Sequence, residues 1–425
     1  MLLLESFVHR VPLSEILSRW MIGRPEKGDV MRLKEIVNFN SYIARLWLDW
    51  FARDTLRAFQ GVEPTRFTVR TKGQLKDFVV AHPRYTSPRI EEMLQRYRRY
   101  PEDYYRDTPI DGALYVNPVG DGFAFVGSSR IKRFRRIAEK GSRRIIDFML
   151  TRIRANADVL AEERARSLGI PKEQLFTPKE MMVEEFNHAE RRVLKSIRQG
   201  TIQAELPALG IPDVAGVKMI VEGDEYARFF EMLRAMPGLR ILEEERHTGN
   251  YKGVNLRLAC ALPKARLLAE PPHEEYLRVL TYRGFDARKV QRQYREFVET
   301  GEDEVRLEMI VVDFQEFLES EIGRCMHEDR VQTQRSHHEY NGHLATNVRY
   351  LMEFILSLCR APACADFDEV PIKLWVKYMP DTIERVVRNL YVPQEFYFDT
   401  AGIPADTPPG CEFALPADGA QDAGA

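Results

Sequence analysis

The sequence predicts an α+β fold, and three observations carry that reading. Apolar residues recur at helical spacing through most of the first hundred positions, as in "MRLKEIVNFNSYIARLWLDWFARDTLRAF". Short runs rich in Val, Ile, Leu and aromatic residues, bounded by Gly, Pro or Asp, recur from residue 112 onward and read as strands. Helices and strands do not alternate regularly, so the chain is not a series of βαβ crossovers. The 425 residues suffice for two or three domains, and 44% apolar with 30% charged residues is an ordinary globular balance.

The elements follow in order. Residues 1–177 form a mostly helical N-terminal region, in which Ser87-Pro88 is a cap and first turn. A β-hairpin near 112–128 turns at Gly120-Asp121-Gly122, and a basic helical stretch fills 130–168. The core, 178–325, opens on a helix with Met182, Phe186, Val193 and Ile197 along one stripe. Strand "VAGVKMIVEG", helix "DEYARFFEMLRAM", a turn at Pro237-Gly238 and strands "LRILEEERH" and "GVNLRLACALP" come next. A helical insertion at 264–303 precedes strand "VRLEMIVV" and helix "DFQEFLESEIGRCM". A C-terminal α/β extension, 326–403, includes "PIKLWVKYM" and "EFYFDT"; the Pro-, Ala-, Gly- and Asp-rich 404–425 reads as a disordered tail.

A formal net charge of −2 excludes a chain that binds nucleic acid by overall charge, leaving local patches to be judged separately. Cys260, Cys325, Cys359, Cys364 and Cys411 contain no C-x-x-C pair, so neither a disulfide framework nor a zinc ribbon is implied. "MLLLESFVHR" is too short and acid-interrupted for a signal peptide, and "YLMEFILSLC", carrying Glu353, is too short to span a bilayer. A cytoplasmic protein without membrane contact is expected.

One stretch, "LGIPDVAGVKMIVEG", sets Asp213 at the mouth of an apolar strand. Before it, "AERRVLKSIRQG" carries Arg191, Lys195 and Arg198 at i, i+4 and i+7, a cationic helix stripe. After it come Lys218, the Gly-flanked Tyr251 and Lys252 of "HTGNYKGVNLRL", and Glu308 within "VRLEMIVV". Two strand-borne carboxylates, a basic helix and an aromatic are the parts of a nucleotide-transfer site, where carboxylates hold Mg²⁺ and cations neutralise phosphate. Each part also has a plainer reading. Asp213 is a turn residue, Glu308 faces solvent beside Arg306, Tyr251 flanks a hairpin, and the stripe is a solvated helix face.

The order and wording of "RRVLKSIRQ", "DVAGVKMIV", "GNYKGVNLRL" and "LEMIVVDFQEFLESE" resemble the synthetase domain of the RelA/SpoT family of alarmone (p)ppGpp synthetases, over roughly 178–324. The resemblance implies a nucleotidyltransferase-like mixed sheet flanked by helices, and transfer of pyrophosphate from ATP to GTP or GDP with Mg²⁺. It implies Asp213 and Glu308 as metal ligands, with Glu308 also activating the acceptor 3′-hydroxyl. Arg191, Lys195, Arg198 and Lys218 would meet ATP phosphates, Tyr251 would stack guanine beside Lys252, and Asn255 would complete the nucleotide site. The chain departs from the family pattern at Gly253 and Asn255, where the family has Ser and His, and at Ile310–Asp313, where it has Gln-Ile-Arg-Thr. No His-Asp dipeptide occurs, so the hydrolase domain that often accompanies the synthetase is not expected.

Two further signals remain. The stretch 130–154 holds ten Lys and Arg residues against Glu139 and Asp147, the basis of the alternative function: a catalytically inactive protein binding nucleotide or RNA there. "CMHEDRVQTQRSHHEYNGH" gathers Cys325, His327, His337, His338 and His343, but His338 and His343 are five residues apart and would diverge on a helix, so a satisfied histidine cluster is expected rather than zinc.

Overall fold

The computed structural model describes residues 2–120, 122–202, 208–249, 252–336 and 340–391. In chain order, β1 (Leu2–Leu4) leads to α1 (Arg10–Met21), α2 (Asp29–Gln60), β2 (Thr65–Thr71), α3 (Lys72–Ala81) and α4 (Pro88–Arg99). The hairpin β3 (Pro109–Val119) and β4 (Gly122–Ile131) runs into α5 (Phe134–Leu168), and the chain returns along it as α6 (Lys179–Gln199). Next come β5 (Leu209–Ile211), β6 (Ala215–Ile220), α7 (Tyr226–Ala235), β7 (Leu239–Thr248) and β8 (Lys252–Ala261). Helices α8 (Lys264–Ala269), α9 (Glu274–Tyr282) and α10 (Val290–Thr300) precede β9 (Glu304–Val312). The described chain ends with α11 (Phe314–Ile322), α12 (His327–Ser336), α13 (His343–Leu358) and α14 (Pro380–Arg388).

Seven strands form one mixed sheet in the order β2-β3-β4-β6-β9-β8-β7. Only β6 and β9 run parallel; the other neighbours are antiparallel. Because side chains alternate along a strand, Val217, Met219, Leu307, Met309, Val311, Leu256 and Leu258 share one face, sealed in the main core with residues of α2 and α7. On the other face Ile220 and Val312 pack with Phe314 and Phe317 of α11 and with Leu75, Val79 and Met93 of α3 and α4. The β6 and β9 residues nearer their N-termini on that face are Gly216 and Glu308, and they are not covered in this way.

Local chemistry explains the helix starts. Ser87 accepts a hydrogen bond from the Ile90 amide with Pro88 in the first turn, and Thr71 and Gln74 form a capping box on α3. The α+β class is as expected, and the hairpin, α5, α6 and the α8–α10 insertion stand where periodicity puts them.

Three features differ. β2 lies within the region read as mostly helical; only Val69 of its residues is buried, so this edge strand carries almost no apolar signal. The sheet also crosses the boundary expected at 177, since β4 pairs directly with β6. Finally, the described part of the C-terminal extension is helical rather than α/β, and 371–379 is not a strand. There the Asn347 carboxamide donates to the carbonyls of Leu374 at 2.9 Å and Val376 at 2.6 Å, meeting backbone needs that a ladder would otherwise serve. "EFYFDT" and the tail from 404 lie outside the described residues. Among the described residues no helix is long and apolar enough to cross a membrane.

Candidate functional site

Asp213 occupies the turn between β5 and β6, and that turn is held from both sides. On one side β1 pairs in parallel with β5, and the Glu5 amide donates to the Ile211 carbonyl at 3.1 Å. Glu5 in turn accepts from the Arg306 amide at 3.1 Å. Ser6 completes the stitch: its hydroxyl accepts from the Ala215 amide at 3.2 Å and donates to the Arg306 carbonyl at 2.7 Å. The first residues of the chain thus tie the Asp213 turn to β9.

On the other side stands β4. Ile131 is in register with Ala215, and the Lys132 amide continues the ladder to the Val214 carbonyl at 2.8 Å. That pairing sets the Lys132 ammonium 2.7 Å from the Asp213 carboxylate, and Lys140, from α5, bonds the same oxygen. Glu308 is brought alongside by the parallel β6–β9 pairing, in which it is opposite Gly216. A Cβ at Gly216 would come 3.3 Å from the Glu308 carbonyl oxygen, so glycine permits this close approach.

The two carboxylates differ electrostatically. Burial alone would raise the Asp213 pKa, but Lys132 and Lys140 more than offset it and hold the group at about 2. Burial raises Glu308, and the neighbouring Asp213 charge adds to that rise against the lowering pull of Lys132, Lys140 and Lys218. Neighbouring acids pushed in opposite directions suit two roles, one permanently ionised and one able to take and release a proton. Both line a cleft of about 1720 Å³. Arg133, Arg135, Arg136 and Lys140 of the β4–α5 segment form one wall, Asn255 and Arg257 of β8 another. The Oδ1 atom of Asn255 is buried with no hydrogen-bond partner, an acceptor open to a ligand donor.

The other expected residues fare differently. Lys218 lies on the same sheet face two residues beyond Gly216, but it is engaged elsewhere: 3.1 Å from the Ser320 hydroxyl, 3.3 Å from Glu321 and 4.9 Å over the Phe317 ring. Glu321 is 1% exposed and also pairs with Lys72 at 2.6 Å and Arg130 at 3.0 Å. Burial opposes its ionisation, yet Lys72, Arg130 and Lys218 hold its pKa well below the usual range. Burial also pushes Lys218 down to about 8. Arg191, Lys195 and Arg198 are exposed on α6 and do not line the cleft, so the solvated-face reading holds for them. Lys252 is exposed at the start of β8, its amide bonded to Glu316 at 3.0 Å, near the far end of β9 from the acid pair. Tyr251 lies outside the described residues, as do His337 and His338 of the histidine cluster.

Sequence reasoning missed Lys132 and Lys140 as partners of Asp213, having counted them in the basic stretch. A signal was present: that stretch begins inside the β4 run "FAFVGSSRIK", so its first cations had to emerge at a strand end beside other strand ends. As for a metal, two adjacent carboxylates are a sparse set, and among the described residues no three His, Cys, Asp or Glu side chains converge. The pair fits Mg²⁺ shared with phosphate oxygens, which needs only one or two protein carboxylates, and does not fit a cage built wholly by protein.

No family model matches the chain, and no curated protein or solved structure is similar enough to count as a match.

Proposed function

We propose that the cleft is the site of a divergent RelA/SpoT-like nucleotide pyrophosphokinase, on a nucleotidyltransferase-like sheet, that moves pyrophosphate from ATP to a guanosine nucleotide. The observation that carries this reading is the juxtaposition of Asp213 and Glu308, nearly one hundred residues apart, at a cleft walled by the cations of α5. In this reading α5, and not α6, supplies the basic helix of the resemblance. Asp213 and Glu308 would hold Mg²⁺ together with the nucleotide phosphates, and the metal would neutralise charge on the transferred group. Arg133, Arg136 and Lys140 meet phosphate oxygens. Glu308 accepts the proton of the acceptor 3′-hydroxyl as that oxygen bonds to the β-phosphorus and AMP leaves.

The test is incubation with labelled ATP, GTP or GDP and Mg²⁺, with separation of products. Wild type yields a pyrophosphorylated guanosine nucleotide and AMP; chelator or Asp213→Ala abolishes both, with circular dichroism unchanged. A wild-type chain that makes no such product under these conditions sinks the catalytic reading. It would favour the second one, nucleotide or RNA binding without turnover, for which the observation is that β9 and its end carry Ile310, Val311, Val312 and Asp313 where the family has a cation. Binding of that kind would weaken steeply with salt and survive chelator.

A further inference from the structure

The cleft does not end at the acid pair. It continues along α5 to Arg143, Arg144 and Arg154, while Arg349 of α13 and Arg360 just past that helix's C-terminal end add to its lining. The two helices run antiparallel, since Arg360 lies 5.6 Å over the Phe134 ring while Met352 closes on Gly141. One helical turn farther on, that geometry brings Arg349 level with Arg144. At a rise of about 1.5 Å per residue, Arg154 stands roughly 20 Å beyond Lys140 along the helix axis. Arg143 and Arg144 are exposed and have no ion pair or side-chain hydrogen bond among the described residues, and the polar partner of Arg349 is the neutral Asn341 carboxamide at 3.3 Å. Arg143, Arg144 and Arg349, on two facing helices and without an ion pair among the described residues, form a poor structural network and a good phosphate receptor.

We propose that this groove between α5 and α13 is a second binding site, for a ligand bearing a short oligophosphate chain, separate from the ligands at Asp213 and Glu308. A compact oligophosphate suits it better than single-stranded nucleic acid. A nucleic-acid track would present aromatic platforms beside its cations. Here Tyr340 is buried with its hydroxyl on Glu190, and Phe134 is covered by Arg360. Asp147 and Glu353 also interrupt the run of positive charge. The inference does not depend on the transfer reaction, because the groove's cations lie outside the carboxylate pair.

Calorimetric titration of the full chain with inorganic triphosphate in the presence of chelator tests it. Wild type binds, and Arg144→Glu combined with Arg349→Glu weakens the affinity at least tenfold while leaving Asp213-dependent Mg²⁺–ATP binding unchanged. Arg191→Glu with Lys195→Glu, the same charge change on α6, leaves triphosphate binding intact. Equal affinity in the groove variant and wild type, or no binding by wild type, overturns the proposal. Tighter binding of a twelve-nucleotide single-stranded RNA than of triphosphate, lost in the same variant, would also overturn it in favour of a nucleic-acid groove.

Discussion

Two acidic clusters share one face of one sheet, and they differ in a single respect. Around Glu321, Lys72 at the start of α3, Lys218 and Arg130 converge on a carboxylate that is 1% exposed, with the Lys218 ammonium over the Phe317 ring. Around Asp213, Lys132 and Lys140 converge on a carboxylate whose side chain is 17% exposed at the edge of an open cleft. Cations and carboxylates are the material in both. Solvent access decides what each can do: the sealed cluster holds elements together, while in the open one the carboxylate can exchange an ammonium for a metal and an ammonium its carboxylate for a phosphate. Charge clustering alone does not announce a ligand site; charge clustering with an entrance does.

The comparison breaks most sharply at Glu321. Replacing it with Ala leaves Lys218 and Arg130 without their carboxylate and Lys72 with Glu328 alone at 2.8 Å, a loss of about 3–5 kcal/mol. Urea unfolding of Glu321→Ala should show a midpoint far below wild type, whereas Asp213→Asn, at an open site, should lose less, roughly 2 kcal/mol. Similar midpoints for the two variants would mean that the sealed cluster is not the structural one.

Glu308 comes next in size. In its proposed role as proton acceptor it should tolerate no isostere: Glu308→Gln is expected to lower the turnover number by about 10²–10⁴ with the fold kept. The acid limb of the pH–rate profile should vanish with it. A variant with the acid limb still in place would assign the limb to another group.

A smaller effect follows from the depressed pKa of Asp213. The unfolded chain takes up this proton near pH 3.8 and the folded chain near 2. The group therefore contributes its stabilisation in full above about pH 4 and loses it as the pH falls through 2. The difference amounts to roughly 2 kcal/mol. Acid unfolding of Asp213→Asn should lack that component between pH 4 and 2, and a curve parallel to wild type would show that Lys132 and Lys140 do not hold the carboxylate in solution.

These contrasts also show what could be read from the chain. The apolar period found the parallel strands β6 and β9, and with them the two acids, because buried central strands are nearly continuous hydrophobic runs. It did not find β2, an exposed edge strand, or the continuity of β4 with β6, which is a long-range pairing that no local pattern encodes. Lys132 and Lys140 were visible as charges but not as partners of Asp213, since the contact depends on a register between segments about eighty residues apart. Lys218 was visible as a strand cation, yet whether it turned toward the cleft or toward Glu321 depended on where α11 packs.

The smallest effect expected is the most diagnostic for the two basic helices. By sequence, the resemblance assigns the phosphate-binding wall to Arg191, Lys195 and Arg198 of α6, and the basic stretch of α5 is the alternative nucleotide or RNA site. In the fold, Arg191, Lys195 and Arg198 are exposed and stand apart from the cleft, while Arg133, Arg136 and Lys140 line it. Replacing Arg191, Lys195 and Arg198 together by Ala should therefore change stability by no more than about 0.5 kcal/mol per site. It should leave Mg²⁺–ATP affinity within twofold of wild type, whereas Arg133→Ala with Arg136→Ala should weaken it at least tenfold. The reverse ranking in a fluorescent-nucleotide titration would return the phosphate site to α6 and detach it from the acid pair.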